Sequence, residues 1–233
     1  GVIDSVNSHA KVVDGRTAFP RMFGDDGWYD FKTEPFDEGA LALYYWSMDS
    51  TDRNRVTDSG WLDFLDGNNP NFPVDALQAD LEVVRRKMDQ VDRDTVSADM
   101  RMSDDMNALN PAVTESITQL MIGGLPTGRE GSPLHARLRY FDPARRRAGI
   151  PEDVASLVTG MTDGETTLTI VNSNQIQSRT VIVQGGAYGE HQIESISANG
   201  QTIDIDNRWC AILLAPGAGA DIKLTMKRYT NQP

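Results

Sequence analysis

Apolar residues recur at helical spacing in the first half of the chain. The clearest example is a stripe in which steps of three and four residues alternate: Val74, Leu77, Leu81, Val84, Met88 and Val91. Most positions between them are charged, so this segment predicts an amphipathic α-helix over residues 74–91 with one buried face. Weaker patterns of the same period predict further helices, over residues 37–48, 51–67 and 111–122.

The opening of the chain has a different character. Residues 1–34 carry turn-forming residues at short intervals and show no sustained period, which predicts little regular structure. Residues 125–150 predict a loop with one short extended piece at 135–141. Pro151 can begin a short helix that turns Val154 and Val158 inward.

From about residue 160 the apolar period changes from that of a helix to that of a β-strand. Alternating positions predict six strands, over residues 165–171, 179–184, 191–198, 201–205, 208–214 and 221–229. Asn199 and Gly200, between two of them, favour a tight hairpin turn because both residues tolerate positive φ. The short connections predict an antiparallel β-sandwich.

These patterns combine into an α+β chain in three parts. We expect a helical part over residues 1–125, a linker with a short helix over 126–160, and an antiparallel β-sandwich over 161–233. Each helical stripe must be covered by another apolar surface. Four helices and an irregular arm cover one another poorly, so we expect the helical part to pack on an upstream part of the same polypeptide or on a partner subunit.

The charge of the chain narrows the choice of partners. It has 34 Asp and Glu residues against 22 Lys and Arg residues, a net charge of −12. Nucleic acid and anionic membranes bind clustered basic surfaces, so we expect neither as a partner. The sequence has no apolar run long enough to span a bilayer and no signal peptide at its start, which leaves the compartment open.

Few residues are available for a metal ion or a disulfide. The one cysteine, Cys210, cannot form an intramolecular disulfide and lies in an apolar run, so we expect it to be buried. The three histidines, His9, His135 and His191, are far apart in sequence, and His191 is expected at the surface start of a strand. The sequence therefore predicts no metal site and no cofactor.

Several longer phrases resemble known sequences: GWLDFLDGNNPNFPVDALQADLEVVRRKM, PLHARLRYFDPARRRAGIPEDVASLV and LLAPGAGADIKLTMKRY. They resemble the C-terminal region of long uncharacterised bacterial proteins that look like an (α/α) toroid followed by a β-sandwich. This architecture is similar to that of polysaccharide lyases and glycosidases. The resemblance implies a carbohydrate-active enzyme with part of its catalytic site upstream of Gly1, although a shared fold does not fix a reaction.

Enzymes that cleave glycosidic bonds commonly use two carboxyl groups across the scissile bond. Candidate catalytic residues in one loop are Asp99, Asp104 and Asp105, and a second acidic loop holds Asp25, Asp26 and Asp30. Trp28 and Tyr29, in the second loop, can stack on a sugar ring. Aspartates in loops also cap or solvate the chain, so both groups are candidates rather than assignments.

A basic strip within residues 133–151 is the other candidate site. His135, Arg137 and Arg139 alternate, so in an extended segment they project to one face, where arginine can hold a carboxylate or phosphate. The next three arginines, at 145–147, are expected to form solvated ion pairs with Glu152 or Asp153.

Two functions fit these patterns. The first is the C-terminal portion of a carbohydrate-active enzyme of the polysaccharide lyase or glycosidase type, with a saccharide ligand and a sandwich that supports a helical catalytic toroid. The alternative is a non-catalytic structural or interaction subunit that docks on a larger partner chain. Solution behaviour is expected to discriminate between them: a complete enzyme would be a stable monomer, whereas a docking subunit or a fragment would aggregate or require its partner.

Overall fold

The computed structural model describes residues 1–101, 109–125 and 134–229. The chain divides into two compact units, Gly1–Gly60 and Trp61–Pro233. This division falls inside the segment 51–67, whereas the sequence pattern places boundaries near residues 125 and 160. Helices and three antiparallel sheets are present, which confirms a mixed α+β chain with a β-rich C-terminal part.

The first unit contains a helix and a three-stranded antiparallel sheet where the sequence predicts little regular structure, and that prediction is wrong. Its elements are α1 (Val2–Asn7), β1 (Lys11–Val13), β2 (Arg16–Gly24), β3 (Gly27–Lys32), α2 (Ala40–Ser47) and α3 (Ser50–Arg53). The sheet order is β1-β2-β3. The closely spaced turn residues are the tight links of two hairpins; Asp14 and Gly15, for example, both take positive φ between β1 and β2.

Four helices follow. They are α4 (Gly60–Leu65), α5 (Phe72–Arg93), α6 (Ala98–Arg101) and α7 (Glu115–Ile122). α5 confirms the helix predicted over 74–91, and α2 lies within the one predicted over 37–48. The helix predicted over 51–67 is interrupted, because residues 54–59 are not helical.

The rest of the second unit is built from two antiparallel sheets. Their strands are β4 (Leu138–Asp142), β5 (Arg147–Ala148), β6 (Val154–Met161), β7 (Glu165–Asn172), β8 (Arg179–Gly185), β9 (Gln192–Ala198), β10 (Gln201–Asn207), β11 (Trp209–Leu214) and β12 (Gly219–Lys227). One sheet has the order β10-β9-β12-β7-β6 and the other β11-β8-β4-β5. The six predicted strands are confirmed to within a few residues, and Asn199 and Gly200 take the expected positive φ.

Strand β6 corrects the helix predicted from Pro151. Val154 and Val158 are buried as expected, but residues four apart share a face in a strand as well as in a helix. Pairing with β7 makes this segment a strand: Val154 lies opposite Asn172, and Val158 lies opposite Leu168. Much of the predicted linker 126–160 therefore belongs to the sheets.

Each of the two sheets buries one face. The largest fully buried side chains from these strands are Leu138, Tyr140, Val158, Leu168, Ile170, Asn172, Val181, Val183, Ile193 and Leu224. Asn172 Nδ2 on β7 donates to the main-chain oxygens of Leu214 at 3.4 Å and Ala215 at 3.1 Å, which ties one sheet to the other. Cys210 is buried as expected, and burial raises the pKa of its thiol to about 12.

Helix α7 connects α5 to the sheets. The Tyr140 hydroxyl of β4 donates to the main-chain oxygen of Met121 at 2.8 Å, and the main-chain nitrogen of Arg137 donates to that of Ile122 at 3.0 Å. Toward α5, Ser116 Oγ lies 3.0 Å from Asp80 Oδ1. α5 is therefore fixed to the β-structure through α7.

Candidate functional site

Of the three aspartates in the first candidate loop, the structure describes Asp99. It is exposed and lies in α6. Asp104 and Asp105 lie outside the described residues. In the other acidic loop, Asp25 and Asp26 form the exposed turn between β2 and β3. A catalytic role for these carboxyl groups stays a prediction.

Trp28 and Tyr29 lie on β3 of the first unit. The Trp28 ring stacks on the imidazole of His9, with ring centres 5.0 Å apart, and meets the Phe23 ring edge-on at the same distance. Tyr29 is exposed. The stacked imidazole reduces the ring area that Trp28 can offer to a sugar, so a ligand-binding role for this pair stays a prediction.

Arg137 does not lie on a ligand-facing surface. It precedes β4, is 2% exposed, and points between the sheets. Its Nε donates to Thr166 Oγ1 at 3.2 Å, and Nη2 donates to the main-chain oxygens of Thr162 at 2.9 Å and Asp163 at 3.2 Å. The guanidinium group therefore binds the turn between β6 and β7.

The other two members of the predicted basic trio lie elsewhere. His135 is half-buried, and this burial lowers its pKa. Arg139 projects to the outer face of the four-stranded sheet, with its guanidinium carbon 5.3 Å from the ring centre of Phe141. Its Nη1 donates to the main-chain oxygen of Ala187 at 3.1 Å. The structure does not bring His135, Arg137 and Arg139 onto one face, because only residues 138–142 of this segment are extended.

His191 is buried at 5% exposure, so its expected surface position is wrong. It lies two residues before the fully buried Ile193, and strand alternation puts both on the inner face. Its Nδ1 accepts a hydrogen bond from the main-chain nitrogen of Tyr229 at 3.2 Å. Burial, followed by the nearby charge of Arg137, lowers its pKa to about 4. The imidazole is therefore neutral near pH 7 and serves the fold.

A partly exposed cluster of aromatic, amide and arginine side chains lies on the outer face of the four-stranded sheet. Trp209 of β11, Gln184 of β8 and Arg139 of β4 lie opposite one another across these strands. Two residues further along these strands, the next row of outward-facing residues consists of Ala211, Ile182, Phe141 and Ala148. Trp209 is 49% exposed, although it belongs to a regular strand. The small side chain of Ala148, at one end of the second row, leaves space on this face.

A shallow cavity of about 540 Å³ that opens widely to solvent lies on this face. Its lining includes Trp209, Gln184 and Phe141 from the sheet, and Arg146 and Arg147 from the turn between β4 and β5. Its volume falls in the range of small-ligand sites, roughly 300–1,000 Å³. Neither Trp209 nor Arg146 belongs to the predicted site, because the strand order that brings them together is not written in the local sequence pattern.

The three consecutive arginines of this turn have different partners. Arg145 forms the expected ion pair with Glu152. Arg147 is held by its own turn, since Nη1 and Nη2 donate to main-chain oxygens at 3.3 and 3.2 Å. Arg146 is exposed beside the cavity, and among the residues described here no hydrogen bond or ion pair engages its side chain.

A carboxylate also borders the cavity, but its charge is offset. Asp142 Oδ1 accepts the main-chain N–H groups of Ala144 and Arg145, each at 3.1 Å. Its Oδ2 lies 3.6 Å from Arg147 Nε. Arg146 therefore adds a guanidinium charge that Asp142 does not neutralise, on a chain whose net charge is −12. The cavity combines an aromatic ring with a local positive charge.

Within residues 1–101, 109–125 and 134–229, no group of three or more His, Cys, Asp or Glu side chains is arranged to hold a metal ion. In the same ranges, none of the helices has both the length and the apolar character needed to cross a membrane.

Comparison with known proteins gives one match. A family model described as a domain of unknown function (DUF8034) matches residues 56–118, or 63 of the 233 residues. Searches of curated proteins and of solved structures returned no match. The matched segment contains α4, α5 and α6 and ends before the first strand of the two large sheets.

Proposed function

We propose that this chain is the C-terminal portion of a carbohydrate-active enzyme of the polysaccharide lyase or glycosidase type. In this proposal the helices belong to an (α/α) toroid that an upstream part of the same polypeptide completes. The two sheets of the second unit form a β-sandwich that supports the toroid. The succession of helices α2 to α7 followed by two antiparallel sheets supports the proposal, as does the resemblance of the phrases quoted above.

The exposed apolar stripe of α5 is the observation that carries the proposal. α5 spans 22 residues, and its exposed apolar residues are Val74, Leu77, Leu81, Met88 and Val91. Burying a Val, Leu or Met side chain is worth roughly 1.5–3 kcal/mol. A continuous stripe of this kind is the surface through which helices pack on one another. A neighbouring helix of the toroid would cover it.

The range of the family match supports an upstream occupant for this stripe. The match includes α5 and stops before β4. A sequence unit that contains the helices without the sheets is expected where the helices belong to a larger helical domain. The catalytic carboxyl groups would then come partly from the upstream segment and partly from loops such as the one that contains Asp99.

Cysteine accessibility tests whether α5 is covered. Leu81→Cys places a thiol on the stripe, and Arg86→Cys places one on the exposed polar face of the same helix as a matched control. The native Cys210 is buried and contributes little background. In the complete native polypeptide we expect alkylation of Leu81→Cys to be at least about tenfold slower than that of Arg86→Cys. Equal rates would contradict the proposal.

Polysaccharide cleavage separates the proposal from its alternative. The complete polypeptide is incubated with neutral and acidic polysaccharides, and new reducing ends are measured together with the ultraviolet absorbance of the unsaturated uronic acid that a lyase forms. Cleavage that is lost when the upstream part is removed supports the proposal. A covered α5 without cleavage of any polysaccharide in the panel favours a non-catalytic subunit docked on a larger partner.

A further inference from the structure

We propose that the cavity between Trp209 and Arg146 binds an acidic saccharide, in which the sugar ring carries a carboxylate. The site lies on the outer face of the four-stranded sheet. This inference goes beyond the proposed function, because binding at this face requires no catalytic group and no covered α5.

The apolar half of the site is an aromatic surface beside an open cavity. Trp209 is half-exposed, and Phe141 lines the same cavity. The C–H face of a pyranose ring packs on an indole ring, which buries apolar area on both partners while the sugar hydroxyl groups stay free to form hydrogen bonds. Gln184 lies opposite Trp209 in the sheet. Its Nε2 donates to the main-chain oxygens of Gly186 and Ala187, so its Oε1 is the atom that can accept a hydrogen bond from a sugar hydroxyl.

The charged half of the site selects an anion. Arg146 is exposed at the cavity, and its planar guanidinium group can bind both oxygens of a carboxylate. Its neighbours do not compete for this role: Arg145 pairs with Glu152, and Arg147 binds its own turn. A neutral sugar would leave the Arg146 charge without its counterion, so we expect discrimination in favour of the acid.

The backbone conformation at Arg146 allows its role in binding to be tested by a glycine substitution. Its φ is 52°, in the left-handed region that favours glycine over residues with a Cβ. An arginine here costs backbone free energy relative to glycine, and its side chain forms no hydrogen bond or ion pair with the described residues. Arg146→Gly should therefore remove the guanidinium group without destabilising the fold.

The binding test uses the complete native polypeptide that carries this chain, together with defined oligosaccharides. Oligomers of galacturonic, glucuronic and mannuronic acid are titrated by calorimetry, each against the neutral oligomer of the same length and linkage. We expect one of the acidic oligomers to bind at least about tenfold more tightly than its neutral counterpart. Raising the salt concentration should weaken this binding because the charges are near the surface. Equal affinity for the acidic and neutral oligomers, or no binding by any of them, would overturn the proposal.

Variants assign the binding to this cavity. We expect Arg146→Gly to weaken binding of the acidic oligomer by about tenfold or more while the unfolding midpoint stays the same or rises. Trp209→Ala should weaken binding as well, through loss of the stacking surface. The matched control Arg145→Gln breaks a surface ion pair outside the cavity lining and should leave affinity unchanged. If Arg146→Gly binds like the parent chain, this cavity is not the site.

Discussion

The guanidinium group of Arg137 binds the main-chain oxygen of Thr162, with Nη2 and the oxygen 2.9 Å apart. Arg137 immediately precedes β4 of the four-stranded sheet, and Thr162 follows β6 of the five-stranded sheet. A second donor, Nε, lies 3.2 Å from Thr166 Oγ1. A residue that the sequence offers as an anion ligand therefore joins the two sheets at one end.

Loss of this arginine should destabilise the second unit. Arg137→Met keeps much of the buried volume but removes the donor to the buried Thr166 Oγ1 and to the part-buried main-chain oxygens of Thr162 and Asp163, so we expect a loss of about 1.5–3 kcal/mol in the free energy of unfolding. Urea unfolding followed by circular dichroism measures it. Arg139→Met is the matched control from the outer face, with an expected loss below about 1 kcal/mol. Equal losses would contradict the assignment of Arg137 to the fold.

The buried His191 predicts a loss of stability as the pH falls. Its pKa is about 4 in the folded chain against 6.5 for an ordinary histidine, so below pH 6.5 the unfolded chain binds the extra proton first. The stabilising contribution of the neutral imidazole is complete above pH 6.5 and is lost as the pH falls toward 4. The pKa difference corresponds to roughly 3 kcal/mol.

Variants at the two histidines with lowered pKa test the source of this pH dependence. His191→Asn retains an acceptor for the Tyr229 main-chain nitrogen and removes the titrating group. We expect the change in urea midpoint between pH 7 and pH 4.5 to shrink in this variant. His135→Asn should remove a smaller part of this pH dependence, because His135 is less buried than His191. If His191→Asn keeps the full pH dependence of the parent chain, another group causes it.

Close packing at Gly186 predicts a large cost for a small substitution. The φ of Gly186 is +82°, and a Cβ there would overlap the carboxylate of Glu190, which accepts the main-chain N–H of Tyr188 at 2.8 Å. Gly200 has a similar φ of +75° and open space around it. We expect Gly200→Ala to cost about 1 kcal/mol from backbone strain alone, and Gly186→Ala at least about 1 kcal/mol more. Thermal unfolding of both variants checks this difference, and equal costs would show that Glu190 moves aside freely.

Periodicity predicted the elements whose residues divide cleanly between a buried and an exposed side. The strand β7 alternates in burial along most of its length, and the stripe of α5 follows a helical period. β1 is exposed throughout, so its sequence carries no alternation to detect. β6 has a register shift between Val158 and Gly160, and its two buried valines fit a helix equally well. A local sequence pattern therefore does not predict a strand that is exposed along its whole length, or a strand whose buried positions also fit the helical period.

The candidate cavity was harder to predict than the fold. Trp209 and Arg146 are distant in sequence. They line the same cavity because of the strand order β11-β8-β4-β5, which depends on long-range pairing. The sequence places Arg137 on one exposed face with His135 and Arg139 because the three residues alternate. The strand begins only at Leu138, so this alternation does not determine where the Arg137 side chain lies. The pairing of Arg145 with Glu152 was predictable because the partners are seven residues apart in one turn region.

The measurement that tests the central claim most directly is the intact mass and solution size of the native species that carries this chain. An uncovered α5 stripe leads us to expect a species larger than 25.7 kDa, in which the helices of this chain pack on an upstream part of the same polypeptide. A native species that is monomeric at 25.7 kDa would contradict this account, and the cavity beside Trp209 would then be the leading functional site of a free-standing protein.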